Sequence, residues 1–154
     1  TMITTSSLFY RKIINSKKEL NKFIVINGDS FCNFELLNMV NYHFKNNSSL
    51  TIAVSKNDGR NDAGNISIAD NKIKNFSEKK GESIYINAGV YVFDSIIFKY
   101  VKSKKFSLEY DLIPNLISLD NIVFPFLTNA SIFDIGTPER YLKVKNSFNN
   151  IFNW

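Results

Sequence analysis

Four consecutive apolar residues, Phe23-Ile24-Val25-Ile26, are closed by Asn27-Gly28-Asp29. A run without polar alternation suits a strand buried on both faces, as in a parallel sheet covered by helices. Phe34 to Phe44 follows with helical spacing, and Leu36, Leu37, Val40 and Phe44 fall near one face. Leu50 to Val54 reads as a second buried strand. Strand, helix and strand at this spacing form a βαβ unit, whose crossover should be right-handed. The chain is therefore expected to be an α/β protein. Its 154 residues fit one domain, and 44% hydrophobic content provides a core and argues against disorder.

Beyond Val54 the pattern changes. Asn57 to Asn65 is a polar loop containing Asp58-Gly59 and Ala63-Gly64. Ile66-Ser67-Ile68 and Ile73 to Phe76 alternate around Asp70-Asn71, which reads as a hairpin. Ile84 to Phe93 is a long strand, and Gly89 inside it signals a bulge or a close approach. Helices are expected around 8–14, 95–101 and 107–117, with Pro114 bending or splitting the last. Ile122 to Leu127 is an edge or irregular strand because of Pro125, and Ser131 to Phe133 is another strand. Thr137-Pro138-Glu139 starts a helix: hydroxyl cap, proline at the first position, acid in the first turn. The expected whole is an α/β layer followed by a mixed, partly antiparallel half.

One cysteine, Cys32, and one histidine, His43, exclude a disulfide framework and a Cys- or His-rich metal cluster. Chemistry is thereby pushed toward carboxylates, lysines and a borrowed cation. Cys32 reads as a small packing residue, His43 as a surface or packing residue, and Tyr85 and Tyr91 as sheet packing. No apolar run approaches the ~20 residues of a membrane span, and no signal pattern opens the chain, so the cytoplasm is the default. The net charge of +5 favours phosphate-bearing partners without identifying nucleic acid.

Asp29 closes one buried strand and Asp134 closes a short one before a glycine and a capped helix. Ligands of open α/β sheets bind beyond the carboxyl ends of strands. Asp29 is thus either a functional acid or part of a common Asn-Gly-Asp turn. Asp134 is either its partner or an extra helix-capping acid. Two carboxylates without His or Cys are the set expected for Mg²⁺ sharing oxygens with substrate phosphates.

The segments FIVINGD (23–29), FSEK (76–79), INAGVYVF (86–93), SLEYD (107–111) and FDIGTPE (133–139) stand in one order over nearly the whole chain. In these segments the chain resembles the sugar-1-phosphate nucleotidyltransferases, the NDP-sugar pyrophosphorylases, in particular the branch with heptose-1-phosphate guanylyltransferases. The resemblance implies a three-layer α/β fold, a Rossmann-like mixed sheet of the nucleotide-diphospho-sugar transferase type. It implies transfer of a nucleotidyl group from an NTP to a sugar 1-phosphate, with Mg²⁺ on Asp29 and Asp134. Glu78 and Lys79 then match the residues holding sugar hydroxyls and the sugar phosphate. Asn87, Ala88 and Gly89 match the strand lining the sugar pocket. Gly64 matches the glycine of a Tyr-Gly pair, with Ala63 in place of the tyrosine, and Glu109 matches a further acid near the sugar. Asp29, Asp134 and Lys79 would carry catalysis.

The family's opening strand and glycine-rich triphosphate loop are not among these residues. Residues 8–154 correspond to the C-terminal two-thirds of the family domain, truncated at the N-terminus. Residues 1–7 are either an altered nucleotide-contacting segment or vector-derived. The expectation is an enzyme domain that is inactive alone, working on sugar 1-phosphate and NTP and neither on nucleic acid nor on a membrane, with homo-oligomerisation left open. The alternative is a non-catalytic remnant that binds sugar phosphate or a homologous subunit.

Overall fold

The computed structural model describes residues 21–57, 59, 64–77, 83–101, 105–119 and 122–151. The helix expected at 8–14 lies outside them. Eight strands are present among the described residues: β1 (Lys22–Ile26), β2 (Ser30–Cys32), β3 (Leu50–Lys56), β4 (Asn65–Ala69), β5 (Lys72–Ser77), β6 (Tyr85–Asp94), β7 (Val123–Thr128) and β8 (Ile132–Asp134). The α-helices are α1 (Leu36–Lys45), α2 (Ile113–Ser118) and α3 (Pro138–Ile151). The main sheet runs β5-β4-β6-β3-β7, with β1 also on β6, while β2 and β8 form a separate ribbon.

The sheet is mostly antiparallel; β3 and β7 are the parallel pair. β1 and β3 lie on opposite sides of β6, so the expected βαβ unit encloses a later strand instead of two neighbours. β3 is the strand buried on both faces. Its Leu50, Ile52 and Val54 join one core cluster, and Ala53 joins the other. β1 corrects the expectation drawn from its apolar run. Its Phe23 and Val25 pack against one core, but Ile24 and Ile26, which point to the opposite face, are exposed because no described residue buries that face of β1.

Two cores follow from the two sheet faces. One packs Tyr91, Phe93, Ile66, Ile73 and Phe76 under a 3-10 turn (Ser95–Tyr100), a π-helical turn (Leu108–Leu112) and α2. The other packs Ile86, Ala88, Val90 and Val92 under Met39 of α1. Helix, sheet and helix make the three layers. The β4–β5 hairpin turns at Asp70 and Asn71, both with positive φ (52° and 56°), a region these two residues tolerate. Pro114 sits in the first turn of α2; the backbone stays right-handed helical through Leu112 and Ile113, so the stretch changes from π- to α-helical without being split. Pro125 lies in β7, the last strand of the sheet among the described residues.

Of the four apolar residues expected on one face of α1, Leu36 and Val40 do pack against the core. Leu37 and Phe44 are exposed, whereas Met39 and His43 are fully buried. His43, expected at the surface or in packing, is packed inside, with Thr51 Oγ1 of β3 2.9 Å from its Nδ1. Nearby, Lys22 bonds Asp94 at 2.7 Å and lies 5.1 Å from the Phe44 ring. Burial, reinforced by the Lys22 charge and opposed by Asp94, lowers the His43 pKa to about 4.

This depression sets a pH dependence. Above pH ~6.5 the imidazole is neutral both folded and unfolded, and contributes no slope. As pH falls from there toward 4, the unfolded chain takes up a proton that the folded chain refuses, so stability is lost. The expected loss is about 2 kcal/mol by pH 5. Urea titrations at pH 7.5 and 5 should show it, and His43→Leu should flatten the slope. Equal slopes in parent and variant would rule the imidazole out as the cause.

Candidate active site

The site forms where β6 changes neighbours. On one edge, β4 pairs with Tyr85 and Ile86, and β1 pairs with Val90 to Asp94. Asn87, Ala88 and Gly89 lie between those two pairings. Asn87 N–H donates to Gly64 O at 2.9 Å, and Gly89 O accepts from Asn27 N–H at 2.8 Å. The end of β1 and the start of β4 thus diverge at one stretch of β6. Gly89 has φ +73°, and a Cβ there would stand 3.0–3.2 Å from the Asn27 side chain. The register of β3 against β6 shifts at the same level. The glycine in the strand is accordingly both a bulge and a close approach.

Beyond Asn27 the chain reaches Asp29 and enters β2, which pairs antiparallel with β8; Ser30 faces Asp134. Ile135 N–H donates to Asp29 O at 2.8 Å. The short ribbon therefore brings together two acids far apart in sequence. A Cβ placed on Gly136 would lie 3.1 Å from Asp134 Oδ1 and 3.3 Å from Asp29 Oδ2. The space in front of both carboxylates is open because residue 136 has no side chain.

Each acid is held differently. Asp29 is exposed and accepts the Ser30 hydroxyl at 3.2 Å. Asp134 Oδ1 accepts Gly136 N–H at 2.7 Å, and Oδ2 pairs with Arg140 at 2.6 Å. Arg140 stands in the first turn of α3, and its own N–H is capped by Thr137 Oγ1 at 3.3 Å. Among the described residues, no group of three or more His, Cys, Asp or Glu gathers. A two-acid set facing open space fits Mg²⁺, which keeps waters and takes oxygens from phosphate substrates. It does not fit a cation that needs an all-protein cage.

A second polar group lies on the α2 face of β6. Asn87 Nδ2 donates to Tyr91 Oη at 2.6 Å and to Glu109 Oε1 at 3.2 Å, and Tyr91 Oη lies 2.9 Å from Glu109 Oε1. The structure thus joins Asn87 to Glu109, which the π-helical turn carries. Ala88 offers this site only its backbone, since its side chain packs in the α1-side core. Gly64 is buried and holds Asn87 through its carbonyl. Glu78 and Lys79 lie outside the described residues; Ser77 before them pairs with Asn65.

Sequence reasoning missed Tyr91 and Arg140. Tyr91 does pack in the core as expected, but its hydroxyl is engaged with Glu109. For Arg140 a signal existed. A cation in a helix's first turn opposes the helix dipole and needs a local anion, here Asp134.

A family model described as nucleotidyl transferase matches residues 6–150. The chain is 31% identical over 123 residues to the mannose-1-phosphate guanylyltransferase catalytic subunit beta of Drosophila melanogaster, covering 78% of this chain and 33% of that protein. It is 31% identical over 124 residues to the D-glycero-alpha-D-manno-heptose 1-phosphate guanylyltransferase of Aneurinibacillus thermoaerophilus, covering 79% and 54%. The crystal structure of HddC from Yersinia pseudotuberculosis superposes with a TM-score of 0.78 at 28% identity, over 94% of this chain and 62% of that one. The same protein complexed with GMP-PN gives a TM-score of 0.77 at 28% identity, with the same coverage. The chain thus spans between a third and roughly half the length of these two curated relatives.

Proposed function

Because the chain belongs to the nucleotidyl transferase family, we propose that it forms the acceptor and metal-binding part of an enzyme that makes NDP-sugars. A phosphate oxygen of a sugar 1-phosphate attacks the α-phosphorus of an NTP. The bond from that phosphorus to the oxygen bridging the β-phosphate breaks, and pyrophosphate leaves with the electron pair. The observation that carries this reading is the meeting of Asp29 and Asp134 around the open space at Gly136, joined through Asn27 to the strand stretch 87–89.

Asp29 and Asp134 would hold Mg²⁺, which when bound neutralises charge on the phosphates. Arg140 keeps Asp134 oriented through one oxygen. Glu109 accepts a hydrogen bond from a sugar hydroxyl, with Asn87 bonded to it and the Gly64 carbonyl holding Asn87. Glu78 takes a further hydroxyl, and Lys79 pairs with the sugar phosphate. The protein's contribution is position and preorganised charge rather than a covalent nucleophile.

The names of the two relatives, both guanylyltransferases, support GTP as donor and a manno-configured sugar 1-phosphate as acceptor. Such chemistry belongs to sugar-nucleotide biosynthesis, where NTP is available in the cytoplasm. The glycine-rich triphosphate segment of the family is not among the 154 residues.

Calorimetric titration with α-D-mannose 1-phosphate tests the reading. The chain should bind it, and Lys79→Ala should weaken binding by ~1.5–3 kcal/mol, the range for a hydrogen bond to a charged group. Absence of binding by the unaltered chain would sink the proposal. Equal binding by variant and parent would make Lys79 a surface residue.

A further inference from the structure

The directions of the hydrogen bonds among Asn87, Tyr91 and Glu109 follow from their donors. Asn87 Oδ1 accepts Gly89 N–H at 3.0 Å, so its amide nitrogen is the atom facing Tyr91 and Glu109. An amide nitrogen can only donate, so the Tyr91 oxygen accepts from it and keeps its own proton for Glu109 Oε1. Oε1 thereby receives both Tyr91 O–H and Asn87 N–H, which fills its two lone pairs. Oε2 takes no hydrogen bond from a described residue.

The phenol is not needed for packing. The Tyr91 ring is fully buried and stacks on Phe93 with centroids 6.0 Å apart, in a core that a phenylalanine would fill equally well. The hydroxyl is the one part of the side chain that reaches the site. Gly89 contributes as well, since its N–H orients the Asn87 amide.

We propose that Tyr91 is a positioning residue for acceptor specificity: with Asn87 it saturates Glu109 Oε1 and leaves Oε2 as the one oxygen offered to a sugar hydroxyl. The inference rests on the functional reading above and deepens it. A free carboxylate can take two neighbouring hydroxyls of one ring, one on each oxygen. Here it takes a single hydroxyl at a set place, so the site distinguishes which ring position carries it.

The test is calorimetric binding of α-D-mannose 1-phosphate and its monodeoxy analogues to the parent chain, Tyr91→Phe, Glu109→Gln and the double variant. Tyr91→Phe should bind mannose 1-phosphate roughly 10-fold more weakly. It should also discriminate less among the deoxy analogues, because both carboxylate oxygens become available. In the Glu109→Gln background the same change should cost little further, since Tyr91 acts through Glu109. Equal affinity and equal discrimination in parent and Tyr91→Phe would overturn the positioning role alone. So would full additivity in the double variant, which marks a merely structural effect. A parent chain that binds no sugar 1-phosphate would overturn the functional reading and this inference together.

Discussion

Asp29→Asn is expected to cut divalent-cation affinity more than ~100-fold while leaving the fold intact. The estimate starts from outer partners of metal ligands, whose loss already costs about 10–100-fold. Asp29 would itself be one of two ligands, so its loss costs more. It is also the cleaner probe of the pair. Its side chain is exposed and bonded to Ser30, whereas Asp134 additionally caps Gly136 and anchors Arg140. An amide at position 29 also removes a negative charge next to Asp134, so the metal-free melting temperature should not fall. Ligand binding to the folded state raises melting temperature. The parent should therefore melt higher in millimolar Mg²⁺, and the variant should not. Equal Mg²⁺-induced shifts in the two proteins would remove Asp29 from the metal site.

Gly89→Val should destabilise the chain by ~2–6 kcal/mol. A β-branched residue at φ +73° is strained, at roughly 1–3 kcal/mol. Overpacking adds about 1–3 kcal/mol more, because the new Cβ would press on Asn27 Cβ at 3.1 Å, an atom fixed to the backbone. Against a typical stability of about 5–15 kcal/mol this approaches unfolding. Gly89→Ala provides a milder measure. Where that variant stays folded, sugar 1-phosphate and Mg²⁺ affinities should both fall, because displacing Asn27 moves the Asp29 loop away from β6. Denaturant midpoints and calorimetry on Gly89→Ala would check both parts. Unchanged stability would mean that the strand can relax around a side chain.

Local chemistry was legible wherever one or two residues decide the backbone. Asp70-Asn71 announced the hairpin, Gly89 the bulge, and Thr137-Pro138 the helix start. Neighbours of a strand were not legible. The run Phe23–Ile26 looks as buried as Leu50–Val54, yet among the described residues β1 leaves Ile24 and Ile26 exposed while β3 is enclosed by two neighbours. β2 is three residues long and has no period to read. That ribbon is what joins Asp29 to Asp134, so the placement of each acid could be inferred while their meeting could not. His43 is packed inside beside a partner on β3, and Tyr91 reached the site through one atom of a core side chain.

The position of β6 also governs the order in which the chain can assemble. β1, β3 and β4 all pair with β6, which begins roughly sixty residues after β1 ends. At about 5–20 residues per second, a ribosome would hold β1 waiting for its pairing strand for roughly 3–12 s. During that interval an apolar strand lacks the partner that it has among the described residues and can meet other nascent chains. Yield in cells should therefore depend on translation speed between residues 27 and 94 more than on the stability of the finished fold.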